Sequence, residues 1–396
     1  MNQRFYSLDV FRGATVALMI LVNNPGSWGH IYTPLEHAPW HGCTPTDLVF
    51  PFFLFAVGNA FAFVMPKLEA GGTSNFWKKV LKRTFLILLI GLFLNWFPFI
   101  KWDGNHLVAK PWEYTDAAGN PQGVRILGVL QRIALAYFFA AIIIYFLKIR
   151  GAFVAAAIIL MGYWFLCVAG DPSDPFSLAG WFGTAVDKNI LTAAHMYHGE
   201  IVNGVPVIFD PEGLMSLFGA IVQVIFGYFV GDYILKKGKT HEMVNGLFVA
   251  GCILIFTGYC WDMVFPINKK IWTSSYTVYT SGLAMLILSV MIYVIEFKAW
   301  KGWLTKFFDV FGKNPLFIFV LSGMLPRLLG LIRIPNGINA KGLPSYLTPF
   351  GWFYENVCKP VSSNLNNGSL LYAICMIALY WSIVYWMDKR KIYIKV

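Results

Sequence analysis

Residues 133–168 read IALAYFFAAIIIYFLKIRGAFVAAAIILMGYWFLCV. The stretch is apolar almost throughout, and its only charged residues, Lys148 and Arg150, lie near its middle. A helix that crosses a bilayer needs about 20 predominantly apolar residues. The two halves therefore predict two membrane-spanning helices, with the two bases in the connection between them.

The composition of the whole chain agrees with this interpretation. The 396 residues are 57% hydrophobic and 13% charged, whereas soluble domains are about 25% charged. A soluble core rarely grows beyond about 250–300 residues without splitting into domains. The sequence therefore predicts an all-α, polytopic integral membrane bundle of about ten transmembrane helices.

The predicted spans are centred near Val16, Leu54, Leu88, Leu135, Ala157, Val222, Gly251, Ala284, Phe319 and Ile377. No internal repeat or low-complexity linker divides residues 1–396, which we interpret as one transmembrane domain.

The basic residues are concentrated in alternate connections between the predicted spans. One side carries most of them, including Arg4, Lys78, Lys236, Lys313 and Lys395. Because positive charge is retained on the cytoplasmic side, this pattern predicts that both termini are cytoplasmic. The net charge of +11 is then a signal of topology, and no nucleic-acid partner is expected. The opposite side, called the far side here, carries long connections near 24–46, 101–123, 170–212 and 333–367, where functional residues are expected.

The first far-side connection holds three of the seven histidines, His30, His37 and His41. A neutral imidazole near the membrane surface can accept a proton from a nucleophile. His37 is the preferred candidate, because Pro39 and Trp40 can fix its position. The histidine spacing lacks an HExxH pattern, so no metal is expected. Candidate substrate-binding residues around it are Asn24, Glu36, Trp40, His41 and Asp47.

The six cysteines show no CxxC spacing and hence no zinc or redox signature. Cys43 and Cys358 fall in connections and could form a disulfide, although free thiols are the preferred interpretation.

The fourth span begins with Arg125 and contains Gln131 and Arg132. Polar groups inside a membrane are costly and mark a site, a pathway or a buried pair. Arg125 and Arg132 lie two helical turns apart on one face. They stabilise the bundle by pairing with Asp47 or with backbone carbonyls, or Arg132 instead binds a phosphate or polarises a carbonyl group of a ligand. Both interpretations remain open from the sequence.

Six blocks of sequence resemble the heparan-α-glucosaminide N-acetyltransferase family of transmembrane acetyltransferases. They are SLDVFRGATVALMILVNN from Ser7, EHAPWHGCTPTDLVFPFFLFAVG from Glu36, RILGVLQRIALAYF from Arg125, DPEGL from Asp210, WTSSYTVYTSG from Trp272 and GKNPLFIFV from Gly312. The blocks follow the family's order and extend from the first predicted span to the ninth. The opening LD-x-x-RG is also similar to the wider acyltransferase-3 class.

The resemblance implies that cytoplasmic acetyl-CoA donates its acetyl group to the amine of a terminal glucosamine on the far side. It implies that His37 is the catalytic residue and Asn23 its active-site partner. Arg12, at the mouth of the first span, is expected to contact a phosphate of the CoA, unless it only snorkels to the cytoplasmic surface. Gln131 and Arg132 are further candidates for donor binding, and Arg125 for substrate binding. Lysosomal relatives suggest a homodimer.

Two other functions fit the same sequence. A polysaccharide O-acetyltransferase would use the same chemistry on a hydroxyl acceptor, and a permease for amino sugars would use the polar residues of the spans as a pathway. The absence of a lumenal region and of a targeting segment favours a bacterial inner membrane, with the far side in the periplasm.

Overall fold

The structure is a computed structural model that describes residues 5–116, 119–202, 204–338 and 342–394. Among these residues, seven helices are long and apolar enough to cross a bilayer, and a bent pair of shorter helices makes an eighth. The predicted class, a polytopic helical membrane protein, is confirmed. Arg4 and Lys395, which the charge pattern assigns to the cytoplasmic side, lie outside the described residues.

The described helices follow one another with short or structured connections. In chain order they are α1 (Tyr6–Asn23), α2 (Val49–Ala70), α3 (Gly72–Trp96), α4 (Val129–Gly170), α5 (Gly183–Leu191), α6 (Leu217–Lys237), α7 (His241–Asp262), α8 (Ser274–Ile292), α9 (Trp303–Lys313), α10 (Pro315–Leu329), α11 (Pro349–Phe353) and α12 (Leu365–Lys389). Helices α9 and α10 meet at Asn314 with a bend of 78°.

Helix α4 is broken at Lys148, where φ is 56°. As one straight helix its 42 residues would extend for about 63 Å, twice the thickness of the hydrocarbon layer. Contacts show that the chain turns back instead. Lys148 pairs with Glu69 at 2.9 Å, whereas Arg132 and Tyr163, one in each half, both reach residues 271–272 at the other end of the bundle. The two halves of α4 are thus the two spans that the sequence predicts.

The count of ten spans exceeds the seven or eight of the structure for two reasons. Helix α4 counts once by length although it is broken in the middle. Helix α3 is not counted because its first half carries Lys78, Lys79, Lys82 and Arg83, which leaves only the second half uniformly apolar. All ten predicted centres nevertheless fall inside helices.

Four small antiparallel hairpins lie in the connections on the side of the bundle that carries His37, called the His37 end below. They are β1 (Ile100–Asp103) with β2 (His106–Ala109), β3 (Glu113–Thr115) with β4 (Pro121–Gly123), β5 (Glu200–Val202) with β6 (Val205–Val207), and β7 (Ile334–Ile338) with β8 (Pro344–Leu347). Three of the four long connections therefore contain ordered strands at this end.

Helices α2 and α6 pack with their backbones in close contact in the core. A Cβ atom added to Gly58 would lie 1.9 Å from the carbonyl oxygen of Val224, and one added to Gly227 would lie 2.1 Å from that of Phe55. Small residues allow such backbone contact between membrane helices. This contact fixes α2, the helix that follows the His37 loop, against the centre of the bundle.

Replacing Gly58 by Ala should lower the thermal stability of the purified protein. The added methyl group must push α2 away from α6, and overpacking of this kind costs about 1–3 kcal/mol. The matched control is Gly162→Ala, since an added Cβ there has no neighbour within 4 Å. Thermal unfolding in detergent measures both, and an equal Tm for the two variants would contradict the proposed contact.

Candidate functional site

The loop that carries His37 is closed by local turns on both sides. One 3-10 turn, Thr33–Leu35, precedes it, and another, Pro45–Leu48, leads into α2. Thr44 caps the second turn, and the carboxylate of Asp47 accepts a hydrogen bond from the backbone N–H of Thr44. This reciprocal arrangement is a capping box, and it places a carboxylate directly beneath the loop.

The carboxylate of Asp47 holds the loop together. Its Oδ1 lies 2.6 Å from Nδ1 of His37, and its Oδ2 accepts hydrogen bonds from the backbone N–H groups of Ala38 and Thr44, both at 3.0 Å. The Asp47 side chain is 1% exposed, whereas that of His37 is 44% exposed. Because the carboxylate can only accept, Nδ1 of His37 donates to it. The lone pair of the imidazole is then on Nε2, as a general base requires.

Lys269 is the third charged or titratable side chain of this centre, and the sequence did not indicate it. Its Nζ lies 3.0 Å from Nδ1 of His37 and 3.5 Å from Oδ1 of Asp47. Burial lowers the pKa of Lys269, and the charges of Asp47 and Glu212 oppose that shift. Lys269 precedes α8 and is 232 positions from His37, so only the tertiary fold brings it to the loop.

Trp40 and His41 attach the loop to the connections around it. Nε1 of Trp40 donates to the carbonyl oxygen of Phe176 at 2.8 Å. Nδ1 of His41 lies 3.4 Å from Nδ2 of Asn268, which donates to it when that nitrogen is unprotonated. Burial lowers the pKa of His41, which favours the neutral ring. Both predicted substrate residues therefore also have a structural role.

The other predicted residues of this region lie beside the loop. Asn23 ends α1 and is exposed, and it forms no hydrogen bond with His37 in the part of the chain that is described. Asn24 donates to the carbonyl oxygen of Ile20 at 2.9 Å. Glu36 is exposed. The roles of Asn23, Asn24 and Glu36 in binding stay predictions.

Arg125 binds the carboxylates of the DPEGL block. Its Nε donates to Oδ2 of Asp210 at 3.0 Å, and its Nη2 contacts Asp210 and Glu212. Asp210 is fully buried. These contacts support a stabilising role for Arg125. The prediction that it pairs with Asp47 was wrong, because the carboxylate of Asp47 lies against His37 and Lys269 instead.

Arg132 and Gln131 are buried within the protein. Arg132 donates to the carbonyl oxygen of Gly213 at 3.1 Å and contacts the hydroxyl of Ser216. Gln131 donates to the carbonyl oxygen of Ile126 at 2.9 Å. These contacts support a structural role for both side chains, and neither lines the large cavity described next.

A cavity of about 350 Å³ lies within the bundle beside α2. Its lining residues are Arg12, Phe53, Ala56, Val57, Ala60, Arg83, Ile87, Val129, Leu130, Ile133, Lys313, Pro315, Leu316, Phe319 and Ile394. The three bases lie towards the end opposite His37, and the rest of the lining is apolar. Phe53 follows Asp47 by six residues, about 9 Å along a helix, so this part of the lining lies within two turns of the carboxylate that contacts His37.

The bases of the cavity are held in different ways. Arg12 donates to the carbonyl oxygen of Gly312 at 2.7 Å and to Asp9 at 2.6 Å. Arg83 stacks over the ring of Tyr137 at 4.6 Å. Its buried Nε has no hydrogen-bond partner among the described residues. A buried guanidinium N–H without a partner is costly, so this group is suited to bind an anion that enters the cavity.

A second cavity, of about 210 Å³, adjoins the first and shares Arg12, Ala56 and Ala60 with it. Asn59 lines it and is 4% exposed, and its Nδ2 has no partner among the described residues. The side chain of Arg12 therefore borders two internal spaces.

The cysteines and carboxylates of the described residues form no group that could hold a metal ion. All six cysteines are free, so the disulfide considered between Cys43 and Cys358 does not form. The thiol of Cys43 donates to the carbonyl oxygen of Thr44 at 3.7 Å, while Cys358 is buried against Cys375. Burial raises the pKa of Cys43 to about 12, so its thiol stays protonated near neutral pH and is a poor nucleophile.

The buried carboxyl group of Asp187 should make stability depend on pH. Burial, aided by the charge of Asp210, raises the pKa of Asp187 to about 6, above its value of about 3.9 in an unfolded chain. Its contribution to stability is therefore full below about pH 4 and is lost as pH rises through about 6.

Asp187→Asn should remove this loss and reduce the fall in Tm between pH 5 and pH 8, by the equivalent of about 1.4 kcal/mol. The exposed Asp103→Asn variant is the control. A pH dependence that is the same in Asp187→Asn and in the unsubstituted protein would contradict the raised pKa.

Two curated proteins are similar in sequence to this chain. The chain is 28% identical over 367 residues to heparan-alpha-glucosaminide N-acetyltransferase of Homo sapiens, a match that covers 80% of this chain and 52% of the human protein. It is 25% identical over 444 aligned positions to the protein of the same name from Mus musculus. This second match covers 99% of this chain and 60% of the mouse protein. The chain spans little more than half the length of these two relatives.

No established protein-family model matches the chain. The two matches confirm the resemblance that the sequence blocks predicted: the chain is similar in sequence to the heparan-alpha-glucosaminide N-acetyltransferases.

Proposed function

We propose that this protein is a membrane-embedded acetyltransferase. It transfers the acetyl group of acetyl-CoA, bound from the cytoplasm, to the amine of a glucosamine-type sugar at the His37 end. In a bacterial inner membrane that end faces the periplasm. The observation that carries the proposal is the position of the large cavity, whose lining combines three bases with apolar residues and includes Phe53, within about two helical turns of Asp47, the partner of His37.

The basic end of this cavity matches the donor. CoA is too highly charged to cross a bilayer, but only its acetyl end has to reach the opposite side. Arg12 and Arg83 would bind phosphate groups, for which guanidinium groups are well suited. The apolar lining beyond them, including Ile133 and Phe319, is compatible with the pantetheine arm.

The Asp47–His37 pair would supply the general base. The sugar reacts as its neutral amine: its nitrogen attacks the carbonyl carbon of the thioester, and Nε2 of His37 takes the proton that the nitrogen loses. The tetrahedral intermediate then releases the CoA thiolate, which accepts the proton that His37 took from the sugar nitrogen. Asp47 positions the ring and stabilises its protonated form, as the carboxylate does in other His–Asp pairs.

The negative charge on the thioester oxygen requires a donor in the transition state. Asn23 is the candidate that the sequence blocks imply, and a shift of its exposed side chain towards the loop would be needed. Lys269 is the charged donor that already lies beside His37. Its ammonium group also balances the charge of Asp47.

We favour direct transfer over an acetyl-His37 intermediate. In the direct route the donor carbonyl and the sugar nitrogen meet at the end of the cavity, and Nε2 has to carry only a proton. The covalent route would give ping-pong kinetics and an acetylated His37 in the absence of an acceptor.

Release of CoA thiol by the purified protein tests the proposal. Acetyl-CoA is supplied with glucosamine or with an oligosaccharide that ends in glucosamine. Thiol release should require the acceptor. His37→Ala should abolish turnover, and Asp47→Asn should reduce kcat by about 100-fold or more, because the ring loses its orienting carboxylate. His30→Ala, in the same connection, is the matched control.

Other outcomes identify the alternatives. Thiol release with a hydroxyl acceptor but with no amine acceptor would replace N-acetylation by O-acetylation. Transport of labelled sugar into vesicles without transfer of acetate would replace the enzyme by a permease. Full activity of His37→Ala would disprove the assigned base.

Arg83→Gln should weaken the binding of acetyl-CoA. Loss of a charge-assisted hydrogen bond costs about 1.5–3 kcal/mol, which corresponds to a rise in Kd of roughly 10-fold to 100-fold. Lys82→Gln is the matched control, since Lys82 is the adjacent base, is exposed and does not line the cavity. Calorimetry with CoA measures both. Equal Kd values for the two variants would place the phosphate groups elsewhere.

A further inference from the structure

An apolar groove lies on the outside of the bundle between α3 and α10. It has a volume of about 400 Å³ and is lined by Leu89, Ile90, Phe93, Leu316, Phe317, Val320 and Ile394. None of these side chains is polar. Leu89 and Phe93 are 45% and 40% exposed, so the groove opens towards the bilayer.

Two cations lie where this helix pair reaches the His37 end. Arg327, in the last turn of α10, contacts the carbonyl oxygen of Leu94. Nζ of Lys110 donates to the carbonyl oxygen of Asn95 at 3.1 Å. Both therefore bind the last carbonyl groups of α3. A guanidinium has five N–H donors and an ammonium three, so each retains donors for a further ligand.

These cations have no carboxylate partner among the described residues, and neither has Lys101 beside them. Burial lowers the pKa of Lys110, and the charges of Arg327 and Lys101 lower it further. The cations thus repel one another at an end of the bundle where the charge pattern predicts few bases. An anion bound between them would relieve this repulsion.

The distance from the groove to the cations fits one lipid chain. Leu316 precedes Arg327 by 11 positions in the sequence, which is about 16 Å along α10 and about half the thickness of the hydrocarbon layer. Two tryptophans flank the cations: Nε1 of Trp96 donates to the carbonyl oxygen of Lys110 at 3.0 Å, and that of Trp102 to Leu331 at 3.1 Å. Tryptophan is enriched at this depth of a membrane.

We propose that the groove binds an anionic phospholipid from the leaflet at the His37 end. Its phosphate group contacts Arg327 and Lys110, and one acyl chain lies between α3 and α10. Leu316 and Ile394 line both this groove and the large cavity. The acyl chain therefore covers the outer face of the wall that separates the cavity from the bilayer. The site does not depend on the identity of the reaction at His37.

Thermal unfolding of the full chain in a neutral detergent tests this proposal. Phosphatidylglycerol should raise Tm by several degrees, because a ligand that binds only the folded state stabilises it. Phosphatidylcholine at the same concentration should raise it much less. The shift should be lost in the double variant Lys110→Gln, Arg327→Gln, and native mass spectrometry should show the loss of a retained lipid. Lys359→Gln is the matched control, since Lys359 pairs with Glu355 at 2.6 Å.

Three results would overturn the proposal. They are equal stabilisation by the two lipids, an unchanged response in the double variant, and an equal shift with glycerol phosphate, which would show a site for a free anion. If the double variant does not fold, Val320→Trp replaces it, because the indole fills the groove and leaves the cations intact. Val320→Trp should then lose the response to phosphatidylglycerol, and a retained response would contradict the acyl-chain site.

Discussion

The buried carboxylate of Asp47 is the interaction on which the arrangement at the His37 end depends. A charge with so little exposure is stable only if it is paired and fully hydrogen-bonded. Here the backbone of the loop, the ring of His37 and the ammonium of Lys269 together meet that requirement. The same contacts that stabilise the carboxylate therefore fix the orientation of the imidazole. The stability of the loop and the orientation of the imidazole have one physical cause.

Helix α2 connects this centre to the rest of the bundle. It starts at the carboxylate, its glycine contact with α6 fixes it in the core, and its middle turns line the large cavity. Along this one helix the environment changes from a polar loop to an apolar cavity and then to the bases at the opposite end. Under the proposed function, this gradient explains how a highly charged donor can remain on one side while only its acetyl end reaches the other.

The second charged network at the His37 end has a different character. Arg125 and Arg132 are held by carboxylates, a carbonyl group and a hydroxyl from the segment around Asp210. Such networks are expensive to bury and strongly destabilising when one partner is removed. Their contacts fasten the start of α4 to the connection before α6, and this places the walls of the site around the His37 loop.

The sequence by itself determined the class of fold, because the length of apolar runs and the alternation of charge follow directly from the thickness and polarity of a bilayer. It also indicated the His37 loop, since clustered histidines, prolines and tryptophans are local features, and the sequence blocks made the family resemblance visible. It did not determine the role of Asp47 beside His37, the partners of Arg125, or the presence of Lys269 and Arg83 at their sites. Those depend on contacts between residues far apart in the chain, such as His37 and Lys269. Only the tertiary structure decides such contacts, because helix packing, and not local sequence, sets which side chains share a buried space.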